Sequence, residues 1–155
     1  MHIEQAMKRD VMACRAHDTL SRAAQLMWEN GCGCVPVVDD GAELVGFLTD
    51  RDICMGAYTQ GRPLETITVS TSMTRKVIAC RDDDDVSAAL NLMCDHGVRR
   101  LPVVDKHGRL CGIISLDDLA SESLRKLRGA TNQDLARRLG DVFVSIGSRR
   151  ARHTN

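Results

Sequence analysis

Aromatic side chains are nearly missing from this chain: Trp28, Phe47, Tyr58 and Phe143 are all that 155 residues contain. A core must therefore be built from Val, Leu, Ile, Met, Ala and Cys, and no aromatic platform exists on which nucleic-acid bases could stack. Net charge is absent as well, with 21 basic residues against 21 acidic ones. The whole molecule has no bulk attraction to nucleic acid or to an acidic membrane, so such a role would need a local patch. One candidate lies at the C-terminus, Arg149-Arg150-Ala151-Arg152-His153, read here as a disordered basic stub; nucleic acid is not the expected partner. No apolar run approaches the ~20 residues of a membrane helix, and no apolar signal segment opens the chain. The seven cysteines are odd in number and several sit in apolar patterns such as Leu110-Cys111-Gly112-Ile113. They read as thiols of a reducing cytoplasm rather than as a disulfide framework. Also lacking are a nucleophile with its base, a metal-ligand cluster and a cofactor fingerprint, so the chain reads as a binding module, not an enzyme.

What is present is a duplication. A shift of 66 positions lays Met7–Ile53 over Met73–Leu119 without a gap, with about 19 of 47 positions identical. The identities fall in blocks, such as Pro36-Val37-Val38-Asp39 over Pro102-Val103-Val104-Asp105. A repeat of this length implies a unit that cannot bury its apolar face alone, and two copies point to a closed pair.

Each copy opens with a β-like stretch, Val11–Cys14 or Val77–Cys80, followed by an acid, Asp18 or Asp84, expected to cap a helix. Leu20, Ala23, Ala24 and Met27, and Val86, Ala89, Leu90 and Met93, recur at helical spacing and form one apolar face. Gly31 and Gly97 end these helices. Two short apolar runs then flank a turn, Val35–Val38 and Leu44–Leu48 around Asp39–Ala42, with the same in the second copy around Asp105–Gly108. Pro36 and Pro102 imply that the first of these strands lies at an edge or begins at the proline. A second helix opens at Thr49 or Ser115. The order is β-α-β-β-α, and Tyr58–Thr71 reads as a linker broken at Gly61, Arg62 and Pro63. The boundaries expected are 1–71 for the first repeat and linker, 72–123 for the second, and 124–155 for a helical extension with its basic end. In that extension Leu124, Leu127, Leu135, Leu139, Val142 and Phe143 suggest an apolar side able to seal a dimer or dock a partner.

This order, with Gly97-Val98-Arg99-Arg100-Leu101-Pro102-Val103-Val104-Asp105 and Gly46-Phe47-Leu48-Thr49-Asp50-Arg51-Asp52-Ile53, resembles the cystathionine β-synthase (CBS) domain over roughly residues 6–123, and the tandem resembles the CBS pair called a Bateman module. The resemblance implies an α+β fold of two repeats packed as a pseudo-twofold pair. It also implies a regulatory ligand containing adenosine (AMP, ADP, ATP, NAD or S-adenosylmethionine) in the clefts between them, and a homodimer that signals to an unknown effector protein.

The residues themselves fit such a ligand. In Thr49-x-x-Asp52 and Ser115-x-x-Asp118 a hydroxyl stands at the mouth of a helix with a carboxylate one turn on, suited to accept hydrogen bonds from both hydroxyls of a ribose. Free N–H groups and the helix dipole favour phosphate nearby. Gly46 and Gly112 are expected to leave room for close ligand approach. By family resemblance the motif contacts ribose, and Val35, Pro36, Leu101 and Pro102 would line the adenine pocket. Arg51, whose counterpart is Asp117, and Arg99 and Arg100, whose counterparts are Gly33 and Cys34, are candidates for phosphate. The alternative is that both motifs are only capping boxes in a ligand-free interaction protein. A metal or redox switch at Cys32 and Cys34 is a further alternative, although zinc sites normally need four ligands. Asp82–Asp85 reads as charge complementing a helix dipole, and His17, His96 and His107 carry no ligand pattern.

Overall fold

The expected unit occurs twice. The computed structural model describes the backbone of residues 1–127 and 133–152 and the side chains of residues 1–121 and 136–146. Its elements are α1 (Leu20–Glu29), β1 (Cys34–Val38), β2 (Leu44–Thr49), α2 (Asp50–Gln60), β3 (Cys80–Arg81), α3 (Val86–His96), β4 (Arg100–Val104), β5 (Leu110–Ser115), α4 (Leu116–Leu127) and α5 (Gln133–Arg152). The opening strand of the first copy shrinks to a single parallel bridge from Cys14 to Val37, the counterpart of the Cys80 to Val103 pairing of β3 with β4. β1 and β2 pair antiparallel, and β4 stands between β3 and β5.

Both prolines therefore sit inside flanked strands, which corrects the edge assignment. The Cys14 amide donates to the Pro36 carbonyl at 3.0 Å and the Val38 amide donates to the Cys14 carbonyl at 3.0 Å. The parallel bridge uses the groups on either side of Val37, both beyond the proline nitrogen, and never needs the missing N–H.

The helix caps also fall one residue later than expected. Thr49 opens α2 as foreseen, but Thr19 and Asp85 cap α1 and α3, accepting from the Arg22 amide at 3.1 Å and the Ser87 amide at 2.9 Å. Asp18 and Asp84 instead close the preceding turns, accepting from the Arg15 amide at 2.7 Å and the Arg81 amide at 2.8 Å.

The chain divides into two compact units whose limits differ from the sequence boundaries. One comprises Val11–Val77 with His107–Leu110; the other comprises Met1–Asp10, Ile78–Lys106 and Cys111–Asn155. The first ten residues thus belong with the second repeat, and the physical reason is a set of hydrogen bonds that recurs at the 66-residue shift. The Ile3 amide donates to the Asp84 carbonyl at 2.9 Å, as Val69 does to Asp18 at 2.8 Å. The Val86 amide donates to Met1 at 2.9 Å, as Leu20 does to Ile67 at 2.8 Å. Ile3 lies in the core of the second repeat with Leu90, Met93, Leu101 and Ile114. Ile67 and Val69, read from sequence as linker, lie in the core of the first with Leu20, Val35 and Leu48.

In the C-terminal extension, α5 packs Leu139 and Val142 into the core beside α3, and the Ser145 hydroxyl donates to the Cys94 carbonyl at 2.9 Å. Phe143, expected on the apolar side, is half exposed. The backbone of Arg149–Arg152 continues α5 as helix, where the sequence suggested a disordered stub. The side chains of Leu124, Leu127 and Leu135, and His153 beyond α5, lie outside the described residues.

Candidate functional site

In the first repeat, β2 runs into α2 through Thr49, whose extended backbone turns into the helix. The Asp52 amide donates to the Thr49 hydroxyl oxygen at 3.2 Å, while Asp52 Oδ2 accepts from the Thr49 amide at 2.8 Å and the Thr49 hydroxyl at 2.7 Å. This is a complete capping box, so one of the two readings of the motif is realised in full. Only one carboxylate oxygen is spent on it. Asp52 Oδ1 accepts no hydrogen bond or ion pair from the described residues.

In the second repeat, Ser115 ends β5 and Asp118 lies in the first turn of α4. The Asp118 amide donates to the Ser115 hydroxyl oxygen at 3.1 Å, and Asp118 Oδ2 accepts from the Ser115 amide at 3.1 Å and from its hydroxyl. Here the second oxygen is taken: Lys8 Nζ lies 3.0 Å from Asp118 Oδ1. Burial pushes the Asp118 carboxyl up, but the Ser115 hydroxyl and the Lys8 ammonium outweigh it and hold the group below the usual carboxylate range. Nothing in the motif itself announces Lys8; its one signal is its place directly after Met7, where the duplicated register begins.

The helix starts are clamped alike. The Asp50 amide donates to the Gly33 carbonyl at 3.0 Å and the Leu116 amide to the Arg99 carbonyl at 2.9 Å. Arg99 thus brings its main chain to α4, its side chain being exposed; Arg100 opens β4 half-buried, and Arg51 is exposed in the first turn of α2.

The lining expected from sequence is closely packed. Val35 and Leu101 are fully buried in the cores of their own repeats. Pro36 and Pro102, one residue on, fall on the opposite strand faces by alternation and are buried as well. The space at Gly46 and Gly112 is filled by protein: a Cβ on Gly46 would stand 2.5 Å from Met73 Sδ, and one on Gly112 would stand 2.5 Å from Met7 Sδ. The glycines make room for the repeated methionine, not for free space.

Cys34 is buried within β1, whereas Cys32 borders a groove of about 600 Å³ in the first repeat together with Met27, Trp28 and Cys54. All seven cysteines are free thiols, and among the described residues no three His, Cys, Asp or Glu side chains come together in a group suited to a metal ion. No helix among the described residues is long and apolar enough to cross a membrane.

The chain matches the CBS domain over residues 3–56 and 65–125. An uncharacterised protein of Methanopyrus kandleri is 33% identical over 117 residues, 76% of this chain, which spans about 60% of that relative's length. Hypoxic response protein 1 of Mycobacterium tuberculosis is 35% identical over 114 residues, covering 74% of this chain and 79% of its own. The solved structure of hypoxic response protein I, with two coordinated zinc ions, superposes with a TM-score of 0.72 at 32% identity over 78% of this chain and 98% of that one. CBSX2 in complex with AMP superposes with a TM-score of 0.71 at 25% identity over 80% of this chain and 96% of its own. The chain belongs to the CBS domain family, carrying the domain twice.

Proposed function

We propose that this protein is a non-catalytic regulatory module that binds an adenosine-containing nucleotide at Thr49/Asp52 and Ser115/Asp118, and that it works in the cytoplasm as a homodimer passing occupancy to an effector protein. The observation that carries the reading is Asp52: its carboxylate is oriented by two donors from Thr49 on Oδ2, which leaves Oδ1 available to ribose hydroxyls. A similar protein, CBSX2, was solved with AMP. Arg51, one residue away in the first turn of α2, and the helix N-terminus supply positive potential for phosphate. AMP, ADP, ATP, NAD and S-adenosylmethionine share the adenosine that this arrangement would grip. Signalling requires the ligand to favour one arrangement of the protein over another.

A second reading has an observation of its own. Both Oδ2 oxygens are turned back onto their own helix starts, as in an interaction protein that keeps the motifs only as caps. Thermal shift with AMP, ATP and NAD separates the two. Each variant is compared with its own ligand-free melting temperature, because losing a cap alone lowers stability by about 1 kcal/mol. The nucleotide reading expects a rise in the wild type that disappears in Asp52→Ala combined with Asp118→Ala. Removing a charge-assisted hydrogen bond to ribose costs about 1.5–3 kcal/mol, roughly tenfold or more in affinity. A shift that survives in the double variant, or none in the wild type, leaves the capping role as the function of these residues.

A further inference from the structure

The two motifs sit in the same backbone frame and differ in one ion pair. The Lys8 amide donates to the Ile113 carbonyl and the Ile113 amide to the Lys8 carbonyl, both at 2.9 Å; Thr74 and Phe47 exchange the same pair of bonds, both at 2.9 Å. Lys8 and Thr74 are thus equivalent positions beside equivalent strands, each following the methionine that packs on the motif's glycine. At one of them an ammonium reaches the acid of its own repeat; at the other the side chain is a threonine, with no hydrogen bond to Asp52. We propose that Lys8 is a specificity-determining residue: it occupies the Asp118 oxygen that a ribose hydroxyl would need, so that the first repeat takes the nucleoside in preference to the second.

This rests on the nucleotide reading above and adds a ranking of its two sites. A ligand entering at Asp118 must displace Lys8 or share the carboxylate with it, whereas Asp52 Oδ1 has no such competitor among the described residues. The ion pair sets a modest bias. Lys8 is 69% exposed and Asp118 16%, and ion pairs open to water on one side are screened and weak, which corresponds to a difference of about three- to fivefold in affinity.

Isothermal titration with adenosine tests this, because a neutral nucleoside isolates the sugar contact from any phosphate. In the Asp52→Ala background only the second repeat binds through its motif, and adding Lys8→Thr, which copies the first repeat, is expected to tighten adenosine about three- to fivefold. Raising the salt concentration should tighten binding to Asp52→Ala by weakening the ion pair, and leave Asp52→Ala/Lys8→Thr unmoved. Lys8→Thr should not change adenosine binding in the Asp118→Ala background. Lys8→Gln keeps the stem without the charge and serves if the threonine variant does not fold. Unchanged adenosine affinity in both Lys8 variants overturns the proposal, and so does a loss confined to AMP, which would make Lys8 a phosphate contact. A wild-type chain that takes up neither adenosine nor AMP sinks the nucleotide reading itself, and the ranking with it; binding by the wild type with no effect at Lys8 sinks the ranking alone.

Discussion

Cys14 and Cys80 occupy matching places, each buried at the start of its repeat, and burial, with Asp18 and Asp84 adding to it, pushes their thiols up to about 11 and about 12. Unfolded, both would ionise near the ordinary value of about 8.5. Below that pH both states keep their protons and the full stability is present. From there to the folded values the unfolded chain releases protons that the native one retains, so stability falls as pH rises. Urea unfolding at neutral and at strongly alkaline pH should show this loss, and Cys14→Ala combined with Cys80→Ala should flatten it. That these cysteines are core residues was legible from their apolar neighbours. Which side chain caps each helix was not: His17-Asp18-Thr19 and Asp83-Asp84-Asp85 offer several acceptors in a row, and the turn that Asp18 or Asp84 closes decides the matter.

Where β2 and β5 pass under the repeated methionines, the two glycines are not equally replaceable. At Gly46 the nearest neighbour of an added Cβ is the flexible sulfur of Met73, with Val37 Cβ at 3.3 Å; at Gly112 the Lys8 carbonyl oxygen joins Met7 Sδ, at 3.0 Å, and main chain cannot swing aside. Gly112→Ala is expected to lower stability by about 1–3 kcal/mol and Gly46→Ala by less, measurable by urea denaturation; equal losses would contradict the difference in surroundings. The strands and helices were readable because period-2 and period-3.6 patterns recur in both copies. The reason for the glycines was not, since the methionines that fill the space stand in other segments: 27 residues later for Gly46 and 105 earlier for Gly112. The same distance hid Lys8 from any reading of Ser115-x-x-Asp118, so the acids of the candidate site could be named from sequence but not their inequality. Nor was the full burial of Val35 and Leu101 legible, because an apolar strand position facing the core and one facing a ligand look alike until the strand's neighbours are known.

Across the molecule, the duplication reaches further back than identity shows. Residue matches begin at Met7 and Met73, yet the hydrogen bonds repeat from Met1 and Ile67 onward, carried by apolar character alone in Ile3 and Val69. Deleting residues 1–9 removes Ile3 and Met7 from the second core, a loss on the order of 4 kcal/mol or more. Hydrogen exchange on that variant should find α3, β4 and β5 losing protection while β1 and β2 keep theirs; protection lost evenly would show that the segment does not belong to one repeat.

The early residues leave the halves unequal under cutting. Val11–Val77 is one continuous stretch that holds all of its unit except the hairpin residues 107–110, while the other unit is assembled from both ends of the chain. A protease nick just after Val77 would release a nearly finished domain on one side of the break and, on the other, strand its neighbour without its opening segment. The midpoint of the sequence is therefore a poor place to divide this protein for expression, and a fragment starting at Ile78 should be rescued by adding residues 1–10 as a separate peptide.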